Sequence, residues 1–341
     1  MKLQKPKQYT YVLVLLCILL FAVIACFSFY QLTQEQESPK MLNDRQEFEL
    51  SDINDLKVEP SKDSDGLPAT VIAPEAVYEE KDLSQVQEQL DLIYQENAGV
   101  SSAYMDIKSG AHVSSNGDEP KVAASMIKLL ILAEFLSQTQ TGSCSLEETY
   151  TVQASDIVGG SGTVQHNGAG TEYSLGDLAS LMISVSDNTA ANILIDKLGM
   201  DNINAQAGNL GLTATSLNRY MMDYNAINAG LDNFITANDA VKLLYAFYNG
   251  QVWREDLCEF AMQALYGQTI STSLWNSVPP QSSVGHKTGN LDGVSNDAGI
   301  VNCDNPYILV ALCSDMDNGV SSSVMAQISE IGLNASENIS G

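Results

Sequence analysis

From Tyr11 to Tyr30 the chain is apolar almost without interruption (YVLVLLCILLFAVIACFSFY), and no charged residue occurs between Tyr9 and Leu32. A run of this length spans the hydrocarbon core of a bilayer. Lys2, Lys5 and Lys7 precede it and the acidic residues begin only at Glu35. The positive-inside rule therefore predicts a cytoplasmic tail over residues 1–9, a single-pass anchor over 10–32, and the remainder outside the cell membrane. Two other readings of the segment are a lipoprotein signal, because Val23-Ile24-Ala25-Cys26 resembles a cleavage box that would leave Cys26 lipidated, and cleaved secretion. The apolar run continues through Phe27, Phe29 and Tyr30, longer than a signal peptide requires, which favours the retained helix.

Residues 33–80 turn polar and acidic, with Pro39, Pro60 and few bulky apolar side chains, the composition of a solvated stalk. The pattern then changes to that of a folded unit over 81–341, long enough for one enzyme-sized core. Leu83, Val86, Leu90 and Ile93 recur at helical spacing. Ser101 to Ile107 and His112 to Ser114, separated by Ser109-Gly110, predict a hairpin. A helix is predicted from Ser125 to about Ser137, and a mostly helical middle runs to the stop signal Asn249-Gly250. Ser282 to Thr288, Gly299 to Val301 and Tyr307 to Cys313 follow as strands, and Ser321 to Ile331 as a closing helix. Strands at both ends of a helical centre predict an α+β fold, with an antiparallel sheet flanked by helices and an inserted helical lobe.

Charge narrows the partners. With 16 Lys and Arg against 42 Asp and Glu, the net charge is −26. A surface this acidic argues against nucleic acid or anionic lipid as a ligand and suits solubility in a salty or polymer-rich setting. Beyond Cys17 and Cys26, the cysteines Cys144, Cys258, Cys303 and Cys313 match no zinc spacing, and sequence gives no pairing for them. His112, His166 and His286 likewise share no metal-ligand spacing, so no metal and no cofactor are expected.

Three short motifs carry the chemistry. In Ser125-Met126-Ile127-Lys128 the hydroxyl and the amine are three residues apart at a helix start, so they share one face within hydrogen-bonding range. A serine needs a base to become a nucleophile, and a lysine serves only when neutral. Apolar Met126, Ile127, Leu129 and Leu130 and the positive helix terminus both disfavour the ammonium. The same terminus leaves the Ser125 N–H as an oxyanion donor. Ser186-Asp187-Asn188 precedes a helix-spaced run. It reads as a cap, or as a relay hydroxyl at Ser186 and an amide ligand at Asn188, with Asp187 structural. Lys287-Thr288-Gly289 lies in a strand with Gly285 and Gly289 on either side of Lys287, leaving that face clear for a ligand carboxylate that Lys287 and Thr288 could hold. Each motif alone is ordinary: a serine beside a snorkelling lysine, a helix cap, a strand lysine before a turn. Their order and contexts agree on a serine acyl-transfer site.

With these motifs the stretch from Leu83 to Leu333 resembles a class A β-lactamase-type serine hydrolase of the penicillin-recognising family. Gly159-Gly160-Ser161-Gly162-Thr163, Leu181-Met182-Ile183-Ser184-Val185, Thr189-Ala190-Ala191-Asn192 and Asn296-Asp297-Ala298-Gly299-Ile300 extend the resemblance. It implies acylation of Ser125 by a β-lactam or acyl-D-Ala-D-Ala carbonyl, with Lys128 as general base and Ser186 as proton donor. It further implies that Lys287 polarises Ser186, that Asn188, Lys287, Thr288 and Gly289 bind substrate, and that the backbone N–H groups of Ser125 and Asn290 hold the oxyanion.

One departure matters. The family deacylates with a loop glutamate, and the matching stretch here is Leu217-Asn218-Arg219-Tyr220-Met221-Met222-Asp223-Tyr224-Asn225. Arg219 and Asn225 fit, but Met221 stands at the glutamate position, and a thioether abstracts no proton. Losing a general base costs about 10²- to 10⁴-fold, so slow hydrolysis is expected. Asp223 is the one nearby carboxylate: a substitute base if the loop shifts by two residues, or a loop-ordering residue, for example through Arg219. The expected activity is thus slow β-lactam hydrolysis through a Ser125 acyl-enzyme. The alternatives are a D,D-carboxypeptidase or transpeptidase acting on peptidoglycan stem peptides, and a tethered module that binds β-lactams or wall fragments without turnover.

Overall fold

The computed structural model describes residues 81–337. The first helix, α1 (Ser84–Glu96), leads into β1 (Val100–Asp106) and β2 (His112–Ser115). A short β3 (Lys121–Val122) enters a 3₁₀ turn, Ala124–Ile127, that continues as α2 (Lys128–Thr141). Then come β4 (Thr149–Thr151), α3 (Val164–Asn167), β5 (Glu172–Ser174), α4 (Leu175–Ser184), α5 (Asn188–Leu198) and α6 (Met200–Asn209). After a long loop follow α7 (Tyr224–Asn228), β6 (Phe234–Ile235), α8 (Ala237–Asn249) and α9 (Glu255–Tyr266). A second 3₁₀ turn, Ser273–Trp275, precedes β7 (Ser283–Leu291), β8 (Val294–Asn302), β9 (Tyr307–Ser314) and α10 (Asn318–Glu337).

The main sheet has five strands in the order β2-β1-β9-β8-β7, every neighbouring pair antiparallel. The fold is therefore α+β. On one face α1 buries Leu83, Val86, Leu90 and Ile93 against strand residues such as Tyr104 and Leu309, together with Val324 and Ile328 of α10. Each such side chain contributes about 1.5–3 kcal/mol of burial. Tyr104 and Tyr307 stack there with ring centroids 5.6 Å apart. The larger core lies on the other face, where α2, apolar from Leu129 to Leu136 except for Glu134, is enclosed by α4, α5, α6, α8 and α9. A helix apolar on nearly every side belongs at the centre of a bundle.

Several elements differ from the sequence reading for identifiable reasons. Ser125 lies in the 3₁₀ turn rather than in the α-helix, which begins at Lys128, and Ala124 before it has φ 47°. A left-handed alanine is costly and signals that the surroundings impose the turn. Helix α9 was not expected after Asn249-Gly250; its buried Leu257, Cys258, Ala261, Ala264 and Leu265 do follow helical spacing, but small residues weaken the apolar signal. Gly250 itself ends α8 with φ 67°, the left-handed stop that glycine allows. Cys144, Cys258, Cys303 and Cys313 are all unpaired.

The single-pass membrane placement expected from residues 10–32 does not stand. Among the described residues no helix is long and apolar enough to cross a membrane, and residues 1–80, with Cys26 and the expected stalk, lie outside the described part.

Candidate active site

Three elements meet at one buried cluster of polar side chains. The 3₁₀ turn and α2 bring Ser125 and Lys128, the turn between α4 and α5 brings Ser186 and Asn188, and β7 brings Lys287. Lys128 Nζ lies 3.3 Å from Ser125 Oγ, 2.7 Å from the Ser186 carbonyl oxygen, 3.1 Å from Ser186 Oγ and 2.8 Å from Asn188 Oδ1. Lys287 Nζ donates to Ser186 Oγ at 3.1 Å and to the Thr288 carbonyl at 2.8 Å. The Ser186 hydroxyl is thus a bridge between two buried amines.

Burial sets the protonation state. Lys128 and Lys287 are both fully buried. Desolvation drives the Lys128 amine well below the ordinary lysine range, the Lys287 charge adds to that, and the Asp187 carboxylate opposes it. Lys287 falls to about 7 through desolvation, against the pull of Asp297. A neutral Lys128 has two N–H bonds and one lone pair. The two shortest contacts, to the Ser186 carbonyl and Asn188 Oδ1, use the N–H groups, so the lone pair is left for the two hydroxyls, Ser186 Oγ at 3.1 Å and Ser125 Oγ at 3.3 Å.

Asp187 touches no reacting group. Its Oδ1 caps α5 by accepting from Ala190 N at 2.9 Å, and its Oδ2 accepts from Thr163 N at 2.5 Å and Val164 N at 2.8 Å. It staples the glycine-rich loop over residues 159–163 to the start of α5. Gly162 permits this, since with φ 111° a Cβ there would stand 2.2 Å from the Asp187 carboxyl carbon. Ser186 is held with φ 54°, which turns both its carbonyl and its hydroxyl toward Lys128.

The glycines flanking Lys287 serve packing, not ligand clearance. A Cβ on Gly289 would lie 2.6 Å from the Ala123 carbonyl and 3.1 Å from Met126 N, and one on Gly285 would press on Tyr266 and Leu265 of α9. Strand β7 therefore approaches the backbone of the turn that carries Ser125 closely at Gly289. Thr288 is buried, and Asn290 is exposed at the outer end of β7. His286 lies on the other face of β7 from Lys287. Its Nδ1 is 2.9 Å from Asp297 Oδ1, which belongs to a buried network with Trp275 Nε1 and Thr272 Oγ1.

The loop before β6 is organised without a base. Arg219 pairs with Asp232 at 2.8 Å, not with Asp223. Asp223 caps α7 by accepting from Ala226 N, and Asn225 is exposed on that helix. Met221 is 6% exposed and packs into the larger core. Its N–H donates to Asn192 Oδ1 at 2.8 Å and its carbonyl accepts from Asn192 Nδ2 at 3.1 Å. No Asp or Glu side chain bonds to Ser125, Lys128 or Ser186 among the described residues.

Sequence reasoning assigned no role to two further residues. Asn192 grips the Met221 backbone from one turn beyond Asn188, so the Asn188/Asn192 spacing on α5 was the available signal. Asn233 accepts from Asn218 N and Arg219 N and offers its carbonyl to Ala123 N, tying the loop to the turn of the nucleophile. It carried no pattern in the sequence. No group of three or more His, Cys, Asp or Glu side chains could hold a metal among the described residues.

The chain matches the model of the Beta-lactamase enzyme family over residues 85–337. It is similar to the beta-lactamase CTX-M-4 of Salmonella typhimurium, 28% identical over 234 residues that cover 67% of this chain and 80% of that protein. Among solved structures, PBP-A aligns with a TM-score of 0.70 at 25% identity, covering 77% of this chain and all of the other. A single-residue mutant of PBP-A, in an acyl-enzyme complex with penicillin G, aligns with a TM-score of 0.69 at 26% identity, covering 75% and 98%. A match that runs from the first described helix to the last, on a fold shared with solved relatives, shows that the chain belongs to the beta-lactamase enzyme family as a class A β-lactamase-type serine hydrolase.

Proposed function

We propose that the protein forms an acyl-enzyme at Ser125 with β-lactams and releases it slowly. The observation that carries this reading is the contrast between a fully connected Ser125-Lys128-Ser186-Lys287 chain and a loop without a carboxylate at Met221. In acylation, Lys128 takes the Ser125 proton while Oγ bonds to the carbonyl carbon. The C–N bond of the β-lactam breaks, and the leaving nitrogen receives a proton from the Ser186 hydroxyl, which Lys128 replenishes. The backbone N–H groups of Ser125 and Asn290 hold the developing oxyanion. Hydrolysis of the ester then needs a water and a base, and the loop offers a thioether.

A D,D-peptidase acting on peptidoglycan stem peptides is the second reading. It is favoured by the likeness to PBP-A, a mutant of which is solved as an acyl-enzyme complex with penicillin G. Binding without any turnover fits less well, because a pure binding module needs neither Lys128 nor Ser186. Intact mass measured at intervals after mixing with benzylpenicillin tests the proposal, with Ser125→Ala as control. A persistent Ser125-dependent adduct is expected, and no adduct with unopened drug contradicts it.

A further inference from the structure

Among the described residues, five other than glycine have a left-handed backbone: Asn116, Ala124, Ser186, Met222 and Asp315. Asn and Asp tolerate that conformation, whereas alanine, serine and methionine adopt it only under constraint. Ala124 adjoins the nucleophile, and Ser186 belongs to the Lys128 cluster. Met222, with φ 63°, is the third of the constrained residues. Such strain collects at functional sites and persists only where the surroundings impose it.

The backbone is clamped on both sides of Met222. Before it, the Tyr220 hydroxyl donates to Asp196 Oδ1 of α5 at 2.6 Å, and Asn192 of the same helix holds both the N–H and the carbonyl of Met221. After it, Asp223 caps α7, and the Met222 carbonyl accepts from Tyr224 N at 3.0 Å. Met221 turns into the core, whereas the half-buried side chain of Met222 reaches the loop over residues 159–163. A Cβ on Gly160 would stand 3.1 Å from Met222 Sδ, 3.3 Å from Met222 Cε and 2.7 Å from Asn188 Nδ2. The thioether and the Asn188 amide thus flank one glycine. Asn188 ties that place to the reaction, because its Oδ1 accepts from Lys128 Nζ at 2.8 Å. Its Nδ2 donates to the Gly159 carbonyl at 3.1 Å, which leaves one N–H of the amide for a ligand. Among the described residues no hydrogen bond joins the 159–163 loop to the 217–233 loop. What meets across the gap is a glycine and an unbranched, adaptable thioether.

We propose that Met222 is a specificity-determining residue of the Ser125 reaction: its thioether narrows the site at Asn188, so that acyl donors with a slender group on the side-chain carbonyl react ahead of those with a broad, rigid one. The inference rests on the acyl-enzyme reading above, with Asn188 as the amide ligand. A side-chain carbonyl that accepts from Asn188 Nδ2 brings whatever it carries against Gly160 and Met222. A slender group passes the thioether, and a broad one has to displace it from its contact with Gly160.

The test uses the full chain and two penicillins with the same ring system. Benzylpenicillin carries a methylene on its side-chain carbonyl, and methicillin carries there a phenyl ring with a methoxy group on each side. With either, the Ser125 Oγ–C bond forms, the β-lactam C–N bond breaks and the ring nitrogen takes a proton, so the adduct keeps the mass of the whole drug. Rates of adduct formation are followed by intact mass in the parent and in Met222→Gly, which removes the side chain and suits φ 63°. The variant is expected to speed the methicillin adduct and to raise the methicillin-to-benzylpenicillin ratio about tenfold or more. A smaller change overturns the proposal, as does a ratio that rises only because benzylpenicillin slows. If Met222→Gly does not unfold cooperatively, Met222→Asn, shorter and tolerant of the same backbone, carries the same expectation. Met222→Leu restores the bulk and is expected to hold the ratio nearer to the parent's than to the glycine variant's; the reverse assigns the effect to the loop backbone and overturns the proposal. A parent that forms no Ser125-dependent adduct with either penicillin defeats the acyl-enzyme reading itself.

Discussion

The Ser125 centre and the loop over residues 217–233, joined where Ala123 N donates to the Asn233 carbonyl, are built in opposite ways. At the centre, two fully buried lysines, Ser186 and Asn188 are joined so that every amine has partners and one lone pair is left for the two hydroxyls. In the loop, the hydrogen bonds fix backbone: Asn192 on Met221, Asn233 on Asn218 and Arg219, and Asp223 on Ala226. The first arrangement positions a base at a reacting atom, and the second positions a loop. On the function proposed above, acylation and deacylation would draw on these two separate parts of the fold.

The sharpest way to break the contrast is at Lys128. Lys128→Ala is expected to slow adduct formation with benzylpenicillin by about 10²- to 10⁴-fold, the usual value of a general base, in protein whose thermal unfolding stays cooperative. A loss below tenfold, followed by intact mass, would mean that another group deprotonates Ser125. Next in size is the loop itself. Met221→Glu is expected to speed release of the penicilloyl adduct about 100-fold, at the lower end of the same range. If the adduct persists as long as in the parent, Met221 does not occupy the deacylating position.

Asp187 sharpens the comparison from the structural side, since it supports the centre without touching it. Asp187→Ala removes the α5 cap and the Oδ2 acceptor of the Thr163 and Val164 N–H groups, with an expected cost of about 2–3 kcal/mol in urea unfolding. A change under about 0.5 kcal/mol would deny it that role.

The buried amine gives a pH dependence. An unfolded lysine titrates near 10.4, and Lys287 titrates at about 7 when folded. Between these limits the unfolded chain binds more protons, so this residue makes stability rise with pH. Lys287→Met is therefore expected to be more stable than the parent at pH 7 by a margin that shrinks toward pH 10, measured as the difference in Tm. A margin that grows with pH would contradict the desolvation of the Lys287 amine.

Much of this was legible in the sequence, though unevenly. The order of strands and helices followed from periodicity and from Gly250, and Ser125, Lys128, Ser186 and Lys287 stood in motifs whose residue types carry the chemistry. The exceptions have physical causes. The 3₁₀ turn at Ser125 is closely approached by Gly289 of β7, a meeting of positions far apart in the chain. Asp223 and Arg219 were adjacent enough in sequence to suggest a pair, but Asp232 across the loop takes the guanidinium. Asn233 acts through backbone contacts that leave no periodic trace.

The central claim is that the domain acylates readily and deacylates poorly. Rapid mixing of the full chain with a tenfold excess of benzylpenicillin, with β-lactam opening followed by absorbance, tests it most directly. The account predicts a burst of one equivalent per Ser125 followed by a phase at least 100-fold slower, with the burst lost in Ser125→Ala. Linear consumption of the whole excess without a burst would contradict it, because deacylation would then keep pace with acylation.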